Sequence, residues 1–170
     1  MSRSGYSDDC EGVGLWRGAV ASAIKGKRGQ KLLRELAAAL DAMPEKRLIA
    51  GELQAPSGEF CTLGVLGNAR GIDMETMDPY DREGVAELFD IAPAMAAEIV
   101  FENDEVNDGW EWKEVEICGP MRDFAPFWDR RTRYARLDIP NAAEARWTAM
   151  RKWVDDNIVR ARATEGGERG

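Results

Sequence analysis

Five carboxylates fall within one short stretch, at Glu98, Glu102, Asp104, Glu105 and Asp108, and Trp110 and Trp112 follow them directly. Glu98 and Glu102 stand one helical turn apart, so both would project from one helix face, where paired carboxylates can take Mg²⁺ or Ca²⁺. A metal-assisted site around Glu98, Glu102 and Asp104 is the one enzymatic chemistry these residues offer, and without a metal their mutual repulsion would raise some of their pKa values. An EF-hand counted from Asp104 would have its glycine at Gly109, but its third position is Val106, which cannot ligate, so that match fails. The same acids also read as a solvated face, or as a surface that imitates the phosphate repeat of duplex DNA toward a DNA-binding enzyme. The tryptophans favour a protein-binding patch with two aromatic anchors. Strand alternation would put both rings on one face, exposed or buried together, with Glu105, Asp108, Glu111 and Glu114 as the rim.

Histidine is absent from all 170 residues. That removes Ser-His-Asp and Cys-His catalysis, His-ligated zinc and Glu-x-x-His di-iron sites. Cys61 falls at an expected helix N-terminus, where a thiolate would be stabilised, but no partner base is at hand and a small packed residue is the plainer role. Cys10, Cys61 and Cys118 form no C-x-x-C pair, so neither a zinc clip nor a disulfide framework is indicated. No catalytic residue, metal or cofactor is expected.

Two basic segments offer a different chemistry. Gly26-Lys27-Arg28-Gly29-Gln30-Lys31 is a glycine-flanked turn opening a helix, and Lys27, Arg28 and Lys31 could hold a phosphate there. The spacing is not that of a P-loop. Arg130, Arg131, Arg133 and Arg136 surround Tyr134, a composition seen at nucleic-acid contacts. A nucleic-acid or phosphate site needs these segments to meet in space, away from the acids.

The net charge of −8 conceals three regions. Arg17 to Ala50 carries eight bases against three acids, Asp73 to Glu116 fifteen acids against two bases, and Ile117 to Gly170 eleven bases against eight acids. Basic flanks can fold onto the acidic middle, and whatever acid stays exposed repels nucleic acid and attracts basic partners.

The length fits one domain with ample core material, and the 44% hydrophobic content argues against wholesale disorder. The apolar runs are too short to span a membrane, and the opening residues lack a secretory h-region, so a cytoplasmic protein is expected. Periodicity predicts helices at Val13 to Lys25, Gly29 to Met43, Cys61 to Arg70, Pro79 to Phe89, Pro93 to Asn103 and Asn141 to Arg162. Asn141 and Glu144 have capping-box spacing. A small irregular β-hairpin is expected over 47–62, and Trp110, Trp112, Val115 and Ile117 read as a strand. The expected architecture is mainly α: a flexible segment 1–12, one helical domain over 13–163, and a disordered tail at 164–170.

Gly26-Lys-Arg-Gly-Gln30, Pro44-Glu-Lys-Arg-Leu48, Cys61-Thr-Leu-Gly64, Asn103-Asp104 and the Trp147 to Trp153 helix together resemble a family of uncharacterised phage and prophage accessory proteins. Relative to its short members, residues 106–140 look like an insertion. The resemblance implies a mostly helical phage or mobile-element accessory protein with no assigned activity; together with the missing catalytic constellations and the acid of residues 73–116 it leads to the expectation of a non-enzymatic protein that binds a host protein, such as a defence or nucleic-acid-handling enzyme, with anti-CRISPR-like activity as one case. It assigns no catalytic residues and leaves self-association open.

Overall fold

The computed structural model describes residues 3–6, 13–117 and 131–160. Among them the chain forms six α-helices and one two-stranded antiparallel hairpin, a mainly α arrangement. Helices α1 (Val13–Lys25) and α2 (Lys27–Ala42) meet at a tight corner. The corner explains its own sequence: a Cβ on Gly29 would collide with the Ala23 carbonyl, so only glycine lets the helices approach this closely. The Gln30 amide ties the corner to the far end of the chain, donating to the carbonyls of Ile24 and Asn157, each at 2.9 Å, and accepting from the Val159 N–H at 2.8 Å.

The apolar stripe of α2 (Leu32, Leu33, Leu36, Ala39 and Leu40) is buried in the core. Its last carbonyls would be orphaned after Ala42. Lys46 turns back and donates to the carbonyls of Leu40, Asp41 and Met43, with its ammonium 5.2 Å from the centre of the Trp147 ring. The positive charge sits where the helix dipole favours it.

The hairpin expected over 47–62 is present only in an irregular form. Its arms meet at the antiparallel bridge Gln54↔Phe60, and the N–H groups of Ile49, Ala55 and Cys61 donate across to the carbonyls of Phe60, Glu59 and Leu53 at 3.0, 2.8 and 3.2 Å. No regular ladder extends it, because the Leu48 N–H goes to the Ala143 carbonyl at 3.1 Å and the Ile49 carbonyl accepts from the Asn103 side chain at 2.9 Å. Leu48 and Leu53 are both buried, so this segment lies across the core as an irregular loop.

Helix α3 (Thr62–Ala69) follows, and α4 (Arg82–Leu88) begins at Asp81, which caps it by accepting from Gly84 N–H at 3.0 Å. Helix α5 (Pro93–Phe101) starts with proline, as its missing N–H allows, and runs into a π-helix at Glu102–Val106. Helix α6 (Ala142–Asn157) buries Met150 and Val154 against the body. The capping box at its start is not made: Asn141 is left-handed with φ 57°, and Glu144 lies 3.4 Å from Arg47.

The β-hairpin comes from the stretch expected to be an insertion. Strand β1 (Trp110–Ile117) pairs antiparallel with β2 (Arg131–Asp138) in the register Trp110↔Asp138, Trp112↔Arg136, Glu114↔Tyr134. Residues 111–114 are all exposed, and the two strands meet the body at a neck where the Ile139 N–H donates to the Gly109 carbonyl at 2.8 Å. Among the described residues, no helix is long and apolar enough to cross a membrane.

Candidate functional site

The acidic block does not form one exposed face. Glu98 lies on α5 and is 4% exposed, accepting from the Tyr6 hydroxyl and paired to Arg17 at 3.1 Å. Glu102 is half-buried; burial, and then the nearby Glu98 charge, raise its pKa. The π-helix carries the next acids toward the N-terminal residues. Asp104 pairs with Arg3 at 2.9 Å, and Glu105 accepts from the Ser4 hydroxyl at 2.5 Å. Asp108 accepts from the Trp110 N–H at 3.4 Å, at the entry to β1. Glu98, Asp104 and Glu105 therefore correct the expectation of an acidic surface: their partners are 81 to 101 residues away, and composition alone cannot show them.

Between these acids Asn103 points the other way, into the body. It is 1% exposed. Its Oδ1 accepts from the Thr62 N–H at 3.1 Å and the Thr62 hydroxyl at 2.7 Å, and its Nδ2 donates to the Ile49 carbonyl and to Asp104. Asn103 thus satisfies the start of α3, doing from another helix what a local cap would do. The approach is so close that a Cβ on Gly64 would strike the Leu53 carbonyl. Arg146 of α6, also buried, donates to the carbonyls of Asn103 at 2.9 Å, Asn107 at 3.0 Å and Leu48 at 2.8 Å. Burial lowers its pKa, yet a guanidinium stays charged at any physiological pH. The Cys-x-Leu-Gly and Asn-Asp motifs are therefore two halves of one structural junction. Cys61 is 2% exposed, and burial raises its thiol pKa, which makes it inert packing rather than a nucleophile.

The hairpin presents the exposed aromatic residues. Trp112 is 60% exposed and Tyr134 68% exposed, and the register makes them diagonal neighbours on one face, together with Glu114 and Arg136. Trp110 shares that face but is half-buried, with the Arg136 guanidinium 4.5 Å from its ring centre and the Trp112 ring packed edge-on at 5.5 Å between centres. The two tryptophans thus differ in exposure although they alternate as expected, because Trp110 lies at the neck and Trp112 further out. Phe124 and Trp128, the aromatics against which they might have packed, lie outside the described residues. Tyr134 was hidden in the sequence inside a run that reads as basic; the acids of β1 were the clue that this run is a strand's partner.

The basic segments do not meet. Arg131 and Arg133 belong to β2, opposite Ile117 and Val115 of the acidic strand, while Arg130 lies outside the described residues. Lys27, Arg28 and Lys31 sit at the α1–α2 corner, with Arg28 3.0 Å from Asp90 and Lys31 3.8 Å from Glu35. Helix α6 separates the groups: its C-terminus contacts Gln30 and its N-terminus lies against the hairpin neck, where Gly109 approaches Ala142. Its 16 residues span about 24 Å. A shared nucleic-acid face built from both segments is therefore not formed. Among the described residues, no group of three or more His, Cys, Asp or Glu is placed to hold a metal ion. The chain matches no family model, no curated protein and no solved structure.

Proposed function

We propose that this protein acts by binding another protein through the outer face of its hairpin, as a non-enzymatic accessory protein of the phage or prophage kind that its motifs resemble. The observation that carries the reading is the exposure of Trp112 and Tyr134 side by side on a projecting hairpin. Burying such a ring is worth about 1.5–3 kcal/mol, so two adjacent exposed rings are a reserve of binding energy awaiting a cover. Tryptophan and tyrosine are also the residues that most often dominate interface energetics. Glu114 shares their face, directly opposite Tyr134, which suits a partner surface with a basic residue beside an apolar recess. On this reading the acidic surface is narrower than the sequence suggests: Glu114 faces the partner, and Glu98, Asp104 and Glu105 are taken up by Arg17 and the N-terminal residues Arg3, Ser4 and Tyr6. The partner would be a host protein, and a defence or nucleic-acid-handling enzyme is one case.

The test is capture from a host lysate at physiological salt with the wild-type chain and with Trp112→Ser/Tyr134→Ser. A defined protein retained by the wild type and lost by the variant, with unchanged far-UV circular dichroism, supports the proposal. No retained protein, or one held equally by the variant, refutes it.

A further inference from the structure

The N-terminal segment Arg3 to Tyr6 lies against the body, and its three side chains each meet a separate set of partners. The Arg3 guanidinium is 5% exposed and donates to Asp104 Oδ2 at 2.9 Å and to the Glu52 carbonyl at 3.3 Å, with Cys61 Sγ at 4.0 Å. Ser4 is fully buried; its hydroxyl meets Glu105, and its carbonyl accepts from Arg82 at 3.3 Å. Gly5 has φ 68° and passes so close to Arg82 that a Cβ there would collide with it. The Tyr6 ring sits in an aromatic slot between Trp16, edge-on at 5.1 Å, and Phe101 at 4.8 Å, and its hydroxyl ends on Glu98.

This is the build of a peptide-recognition channel. It has a carboxylate and a carbonyl for a guanidinium, a second carboxylate for a hydroxyl, and a slot with a third carboxylate at its base for a phenol. The walls come from α1, α4, α5, the π-helix and the loop before α3, and the segment meets them mostly through their side chains, with the Glu52 carbonyl as a backbone acceptor. The resident is also imperfectly matched: Arg3 Nε–H is buried with no hydrogen-bond partner. A buried donor left unmade is a cost that a peptide approaching at a slightly different angle can avoid.

We propose that the channel is a binding site for a turn-forming basic peptide from another protein, carrying an arginine and, three residues later, a tyrosine, and that residues 3–6 occupy it in cis as a competing ligand. The site is distinct from the hairpin and stands or falls without it. A tethered segment competes at an effective concentration in the millimolar range for a short linker, so an outside peptide binds the intact chain weakly and binds tightly once the cis segment is disabled.

The probe is a fluorescein-labelled, amidated peptide Ser-Arg-Ser-Gly-Tyr-Ser followed by anisotropy, against the full chain and against the full-length double variant Arg3→Ala/Tyr6→Ala. Saturable binding to the variant, at least about tenfold tighter than to the wild type and lost when Asp104→Asn is added, supports the proposal. No binding to a variant with native circular dichroism overturns it, as does equal binding to variant and wild type. If the double variant does not fold, hydrogen exchange on the wild-type chain decides. Excess unlabelled peptide should speed exchange at the amides of Ser4 and Tyr6 while leaving Thr62 unchanged. Unchanged exchange at Ser4 and Tyr6 overturns the proposal.

Discussion

Replacing Asn103 with alanine should be among the most damaging single changes to this protein, although Asn103 is polar and touches no exposed surface. The side chain makes four hydrogen bonds. Of the groups it leaves behind, the Thr62 hydroxyl can rotate, and Asp104 keeps Arg3 at 2.9 Å. The Thr62 N–H cannot turn elsewhere, because it opens α3 inside the body. The Ile49 carbonyl is likewise left without the donor that Asn103 supplies. Each such orphan costs about 1–3 kcal/mol, and the small cavity adds to it, so Asn103→Ala should destabilise by about 3–5 kcal/mol. That is a large share of the about 5–15 kcal/mol that holds a typical domain. Urea unfolding followed by tryptophan fluorescence and by far-UV circular dichroism measures it, with coincident transitions required. Thr62→Val, which removes the hydroxyl and keeps the N–H, should cost about 1 kcal/mol alone. Combined with Asn103→Ala it should cost less than the sum, since the two side chains share a bond. A loss below about 1 kcal/mol for Asn103→Ala, or strict additivity in the pair, would refute the account of this junction.

Gly64→Ala should cost about 3 kcal/mol, because the added methyl meets the Leu53 carbonyl and the Phe60 Cβ stands 3.3 Å away on another side; thermal unfolding within a degree of wild type would show that the loop yields instead. Glu102→Gln should raise stability at neutral pH. The folded-state pKa of Glu102 is raised above its unfolded value, so its contribution is most favourable below the unfolded pKa and falls as pH rises from there through the folded pKa. The advantage of glutamine should therefore vanish in acid and plateau above the folded pKa. Its size should stay under about 1 kcal/mol because water still reaches the group, and a melting-temperature series against pH reads both features. In a chain carrying Cys10→Ser and Cys118→Ser, Cys61 should react with a thiol reagent only as fast as the protein unfolds; rapid labelling under native conditions would contradict its burial.

The helices were legible where their apolar residues recur on one face and a breaker follows, as in α2 with its leucines and Pro44. The ends were less so. Asn141 has the residue type of a cap but the backbone of a turn, a choice made by the chain's entry from β2. The 47–62 segment carries the turn residues of a hairpin, and its pairing stays irregular because Asn103 and Ala143, far beyond any local window, take backbone groups of Ile49 and Leu48. Long-range pairing also misdirected the reading of charge. Fifteen acids between Asp73 and Glu116 suggest a surface, yet Glu98 and Asp104 turn toward Arg17 and Arg3. The hairpin's first strand was readable from alternation. Its second was masked by its arginines, which read as a basic patch although the register sets Arg131, Arg133 and Arg136 opposite Ile117, Val115 and Trp112.

The neck of the hairpin has a consequence for how such a protein can change. The chain leaves the body at Gly109 and returns at Ile139, and these two residues are already joined by a backbone hydrogen bond of 2.8 Å. Exit and entry are thus as close as the two ends of a tight turn, so the arm between them can be shortened, lengthened or exchanged without moving α5 or α6. Junction residues such as Asn103, Gly64 and Arg146 are bound into the body and resist substitution, whereas the arm outside the neck can be redrawn freely. One unchanged scaffold could in this way carry arms of different length and sequence, with the body's motifs constant and the arm the variable part.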